Sequence, residues 1–133
     1  MKKTILAALV LVSVFASCSK SNTPATNYPI TGLWVGTYTD AANGTQFFSF
    51  SVYVDGTLSY ESKTATGDTF FASGTWNLND TTFSYSVTTA NFPTTVTQTG
   101  TATYSKTKGT LTNGVEQATA TTDAATWAMN KVQ

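Results

Sequence analysis

The sequence predicts an all-β protein: a small antiparallel up-and-down β-barrel of about eight strands, with a two-sheet β-sandwich as the alternative packing of the same strands. Three observations carry this. From Ile30 onward no window of eleven or more residues keeps apolar side chains at helical spacing, whereas period-two alternation recurs. The composition is rich in Thr, with Val, Tyr, Phe and Trp, residues that suit a pleated, half-buried surface. Turn dipeptides, above all Asn43-Gly44, Asp55-Gly56 and Asn113-Gly114, interrupt the alternation at short intervals.

The 133 residues are one domain's worth of material, and the chain divides into three segments. Residues 1–17 read as an export signal: Lys2 and Lys3, an apolar run from Ile5 to Phe15 too short to cross a bilayer, then small residues. Cys18 follows at once and is the only cysteine, so no internal disulfide is open to it. Phe15-Ala16-Ser17-Cys18 resembles the lipobox of bacterial lipoproteins, which implies cleavage before Cys18 and acylation there, giving a palmitate-type membrane anchor. Ordinary signal cleavage near Ala16 or Ser17, leaving a free thiol, is the alternative. Residues 18–29 are polar and punctuated by Pro24 and Pro29, a composition that makes a flexible tether. Ser19 after the cysteine, by resemblance to Gram-negative sorting signals, favours the outer membrane, with its periplasmic or surface side left open.

Residues 30–133 form the folded domain. The turn signals place strands near Gly32–Thr39, Thr45–Val54, Thr57–Thr64, Thr69–Leu78, Thr81–Thr89, Thr95–Tyr104, Gly109–Asn113 and Ala118–Asn130. Links this short make successive strands antiparallel. Alternation puts Gln46, Phe48, Phe50, Val52 and Val54 on one face of the second strand and Leu58 and Tyr60 on the same face of the third. Phe70, Ala72, Gly74, Trp76 and Leu78 continue it on the fourth, and Phe83, Tyr85 and Val87 on the fifth. The opposite faces are mostly Ser and Thr, so one side is buried and the other wet.

Gly32-Leu33-Trp34 resembles the Gly-x-Trp signature near the first strand of lipocalins and their calycin relatives, and the layout through Asp55-Gly56-Thr57-Leu58 is similar to the opening of avidin-type barrels. The resemblance implies that Trp34 plugs the closed end of a barrel while Gly32 and Gly36 let a bent strand cross beneath it. Gly74 beside Trp76 repeats the device. Lipocalins lay an arginine over this Trp; here the late strands offer only Lys106, Lys108 and Lys131.

Zero formal net charge with 11% charged residues leaves no basic stripe for a nucleic acid. Without histidine, and with its one cysteine acylated, the chain has no zinc-type metal site and no Ser-His or Cys-His nucleophile. Asp40, Asp55, Asp68 and Asp80 fall at turns, where they cap backbone amides. Glu61, Glu116 and Asp123 are the carboxylates left for a glycosidase-like pair, and no spacing brings two of them together. The expectation is a non-enzymatic protein without cofactors. Phe48, Phe50, Tyr60, Phe70, Trp76, Phe83 and Tyr85 share the inner face, where they either fill the core or line a cup for a small apolar or amphipathic ligand. The other class of function is an adhesin or accessory module that meets a glycan or an envelope protein through its outer face, where Phe47, Tyr53 and Phe71 lie outside the inward pattern, or through loop aromatics such as Tyr28 and Phe92. Asp80-Thr81-Thr82 resembles a periplasmic O-glycosylation site, with Thr81 as acceptor.

Overall fold

A computed structural model describes residues 27–91, 94–118 and 124–133 of the chain. The signal segment, Cys18, residues 18–26 of the tether and the loop aromatic Phe92 therefore lie outside the described residues. Eight strands follow in order: β1 (Gly32–Asp40), β2 (Gly44–Val52), β3 (Thr57–Lys63), β4 (Thr69–Asn79), β5 (Thr82–Asn91), β6 (Thr94–Ser105), β7 (Thr110–Ala118) and β8 (Ala124–Lys131). Each pairs antiparallel with the next, and β1 also pairs with β8, from Trp34 opposite Lys131 to Thr39 opposite Thr126. The sheet is a closed barrel, so the two-layer sandwich is ruled out. Closure removes both free edges, which a long Thr-rich sheet would otherwise expose to pairing with other chains.

The interior follows the alternation. Phe48, Phe50, Leu58, Phe83, Val87, Leu111 and Met129 are sealed from solvent, together with Trp34. Small residues facing large ones make room for the rings. A Cβ on Gly100 would lie 2.5 Å from the Tyr85 ring, and one on Gly114 would lie 2.2 Å from Trp127. Gly36 and Gly74 do a different task. At each, a Cβ would fall 1.9 Å from a carbonyl oxygen of the adjoining strand, Ala128 or Ser86. These seams, β1–β8 and β4–β5, lie on opposite sides of the barrel, and at each the neighbouring backbone comes too close for a side chain.

Two sequence expectations are corrected here. Asn113-Gly114 is not a turn, and the strands predicted at Gly109–Asn113 and Ala118–Asn130 are replaced by a continuous β7 and a shorter β8. Asn113 does adopt the positive φ that the dipeptide favours, 53°, but as a bulge inside β7, marked by a register shift against β8 between Leu111 and Gly114. The bulge sets Gly114 against the Trp127 indole, a local kink that a turn signal in the sequence cannot be told from. Val54 is not an inward residue of β2: the strand stops at Val52, and Val54 sits in the following turn at 88% exposure.

Candidate functional site

The two ends of the barrel differ. At one end the chain closes on itself. Trp34 is buried, its Nε1 donates to the carbonyl of Ile30 at 2.6 Å, and Tyr104 meets its ring edge-on at 6.1 Å. Lys131 Nζ lies 5.2 Å from the Trp34 ring centroid and donates to the Thr31 carbonyl. Of the three late lysines, Lys131 is the one over the indole. Trp76, half-buried, stacks on Phe83 at this end and donates Nε1 to the Tyr53 carbonyl at 2.8 Å. Gly32, with φ +112°, runs under the Lys131 ammonium. The segment before β1 is fastened here too. Tyr28 N donates to the Lys106 carbonyl at 2.9 Å, Tyr104 Oη donates to the Tyr28 carbonyl, and Gln133 Nε2 donates to Tyr28 Oη.

Phe48, Phe50, Tyr60, Phe83 and Tyr85 fill the middle of the barrel with Trp127. Phe48 meets Phe50 at 4.7 Å and Tyr60 at 4.9 Å between centroids, and Phe50 meets Tyr85 at 4.8 Å. Edge-to-face contacts dominate, the arrangement aromatic quadrupoles favour. These rings pack against one another and not around an open space. Phe70 stands apart from them at the opposite end, 40% exposed.

Among the described residues that opposite end is open. Near this end the inward-facing positions on most strands include a polar or hydroxylated residue: Tyr38 on β1, Gln46 on β2, Ser62 on β3, Thr89 on β5, Gln98 on β6 and Glu116 on β7. With Phe70, Val96 and Tyr60, these side chains, Glu116 excepted, line a hollow of about 500 Å3 that reaches down to the Tyr60 ring. A second hollow of about 180 Å3 adjoins it across Tyr38 and Asp40 and has Glu116 in its wall. A volume near 500 Å3 lies within the range that holds small molecules. Strand ends Asn91, Thr94, Ala118 and Ala124 lie at this end, and residues 92–93 and 119–123 are outside the described residues.

Glu116 is the most unusual group here. It is 3% exposed, and its two oxygens accept from Tyr85 Oη and, at 3.1 Å, from Gln98 Nε2. Burial raises its pKa to about 7, against hydrogen bonds from Tyr85 and Tyr38 that favour the charged form. The phenols respond in kind. Burial, and then the charge of Glu116, push Tyr38, Tyr60 and Tyr85 far above the ordinary phenol value, so all three remain hydroxyl donors at neutral pH. Asp40 behaves oppositely. Burial disfavours its charge, but hydrogen bonds from Asn43, from the Ala42 amide and from Gln46 outweigh that and hold the carboxyl below its usual value. Near neutral pH the mouth thus holds one ionised carboxylate at the rim and, deeper, one that exchanges its proton.

The turn role expected of the aspartates holds for Asp40 and for Asp55, which accepts from Thr57 N at 2.9 Å. Asp68 instead accepts from the Thr66 hydroxyl, and Asp80 supplies a positive φ of 55°. Asp40 has the second task at the mouth. Thr81 is exposed in the link between β4 and β5, accessible as a modification site would be.

Comparison of the chain with protein-family models, with curated proteins and with solved structures found no match.

Proposed function

We propose that this chain is a lipid-anchored envelope protein, held to the outer membrane through Cys18, whose non-catalytic barrel receives a small amphipathic molecule at its open mouth. One observation carries the reading. The middle of the barrel is filled by aromatic rings, and at the end away from the N-terminal attachment a hollow of about 500 Å3 combines aromatic, amide and hydroxyl lining. The ligand therefore sits above Phe48, Phe50 and Phe83, against Tyr60, Phe70 and Val96, with Gln46, Gln98 and Tyr38 to orient it. The anchor fits the same geometry. Because Tyr28 is fastened to the closed end, a tether from Cys18 enters the barrel at the end opposite the mouth and leaves the mouth unobstructed by its own attachment.

Native mass spectrometry of the protein isolated from envelopes tests this. A small-molecule adduct is expected, lost on Phe70→Ala with Tyr60→Ala, and a shift to the soluble fraction is expected on Cys18→Ala. Consistent absence of any adduct, under conditions that preserve other weak complexes, would remove the binding reading; Cys18→Ala protein still in membranes would remove the anchor.

The second reading, an interaction module for a glycan or an envelope protein, has an observation of its own. Phe71 is 67% and Phe47 40% exposed on the outer wall, with Glu61 opposite Phe71 and Lys63 opposite Phe47 on the intervening β3. A glycan array and an envelope pull-down with Phe71→Ser separate it from the mouth reading, because Phe71 lines neither mouth hollow.

A further inference from the structure

We infer that the mouth selects an organic cation: a small molecule with an ammonium head on a short apolar body. The inference rests on the mouth being the binding site and goes on to its charge preference. Two carboxylates stand in the walls of the two joined hollows, Asp40 and Glu116, and none of the described lining residues is cationic. Arginine and histidine are absent from the whole sequence. The lysine nearest this end, Lys63, follows inward-facing Ser62 and so projects from the outer wall, and Asp68 in the β3–β4 turn adds a further negative charge.

The buried partner makes the case more than the charge count does. Glu116 is removed from solvent, yet its described hydrogen-bond partners, Tyr85, Gln98 and Tyr38, are all neutral. A carboxylate taken out of water without a counter-charge is costly, and a ligand cation beside it supplies that charge. Gln98 lines the larger hollow and Tyr38 both, so a nitrogen there meets the network that ends on Glu116 while Asp40 faces it from the rim. The phenol faces of Tyr38 and Tyr60 and the Phe70 ring give a cation favourable quadrupoles, and the same rings take an apolar body. A carboxylate or phosphate ligand would instead confront two like charges in a site of reduced dielectric. Protonation of Glu116 removes one of the attractive charges, so cation binding strengthens as pH rises through neutrality.

Isothermal titration calorimetry on the full chain with three matched probes, hexylammonium, hexanoate and 1-hexanol, tests the inference. At pH 8 hexylammonium is expected to bind at least about tenfold more tightly than the other two, and to weaken severalfold at pH 5.5. Glu116→Gln abolishes that pH dependence, and Asp40→Asn weakens hexylammonium about tenfold while leaving 1-hexanol unchanged. Near-UV circular dichroism checks that each variant is folded; should Glu116→Gln not fold, Asp40→Asn at the exposed hairpin carries the test. Hexanoate or 1-hexanol binding as tightly as hexylammonium, or hexylammonium binding that ignores both substitutions, overturns the cation preference and leaves the mouth a general amphiphile site. If none of the three binds, the cation inference falls together with the mouth reading.

Discussion

The closed end and the mouth of this barrel treat buried polar groups in opposite ways. At the closed end each is matched to backbone or to a ring: the Trp34 and Trp76 indoles donate to carbonyls, and the Lys131 ammonium has a carbonyl and an aromatic face. At the mouth, side chains answer one another, through Tyr85, Gln98 and Tyr38 to Glu116 and through Gln46 to Asp40. The backbone acceptors, the carbonyls of Ile30, Thr31 and Tyr53, lie in the segments flanking β1 and β2, so the first arrangement ties those segments to the barrel. Side-chain networks can be exchanged for a ligand, so the second is adaptable. The cation that packs against the core and the carboxylate buried in the core are therefore kept at opposite ends, and they never neutralise each other.

Substitutions at the two ends should separate accordingly. The largest effect is expected at the seams that let the barrel close at all: Gly36→Val or Gly74→Val drives a side chain into a neighbouring carbonyl and should cost about 5 kcal/mol or more, seen as loss of cooperative urea unfolding, whereas Gly44→Ala, with open space around it, should cost about 1 kcal/mol. Next comes the plug. Trp34→Ala should destabilise by about 3–5 kcal/mol in chemical denaturation, because the cavity it leaves is bounded by a fixed barrel wall.

The mouth should show its difference in pH dependence. Glu116 binds its proton more tightly folded than unfolded, so the folded state holds more protons between the ordinary glutamate pKa, near 4.5, and about 7. Stability should therefore be highest at the acid side of that window and fall across it by up to about 3 kcal/mol, with Glu116→Gln flattening the profile. Asp40 and Asp55, whose pKa values are lowered, contribute in the other direction and only as pH drops below about 4, so they do not mask the slope. Stability that is level from pH 4.5 to 7 would mean that Glu116 is solvated. The smallest effect is at the closed end: Lys131→Met keeps the stem over Trp34, loses the cation–π contact and the bond to the Thr31 carbonyl, and should cost about 1 kcal/mol.

Legibility in the sequence was uneven between the two ends. Trp34, Gly36 and Gly74 could be read because a glycine or tryptophan in an otherwise Thr-rich strand is a local anomaly with few explanations. The mouth was hidden for a traceable reason. Reading Asn113-Gly114 as a turn ended a strand there and left 115–117 in no element, so Glu116 had no face. Read through the bulge, Gly114, Glu116 and Ala118 share one side, and Glu116 falls in line with Gln98 and Gln46. Gln46 is the polar member of the Phe48–Phe50 face, and that is the hint in the sequence that this end differs. The bulge is paired with a ring from β8, Trp127 against Gly114, which no window of β7 contains.

By itself the amino-acid sequence determined the first six strands, the antiparallel order and the faces that β2 to β5 bury, because alternation and turn chemistry act over a few residues. The reading of an export signal and lipobox before and at Cys18 also rests on the sequence, because these are linear motifs. Only the tertiary structure decided that the last strand meets the first, that the aromatic rings fill the middle instead of lining a cup, and that Tyr38, Asp40, Gln98 and Glu116 share one mouth. Those outcomes depend on pairings between residues as far apart as Trp34 and Lys131, and on how much volume eight strands enclose once the seams at Gly36 and Gly74 have set their curvature.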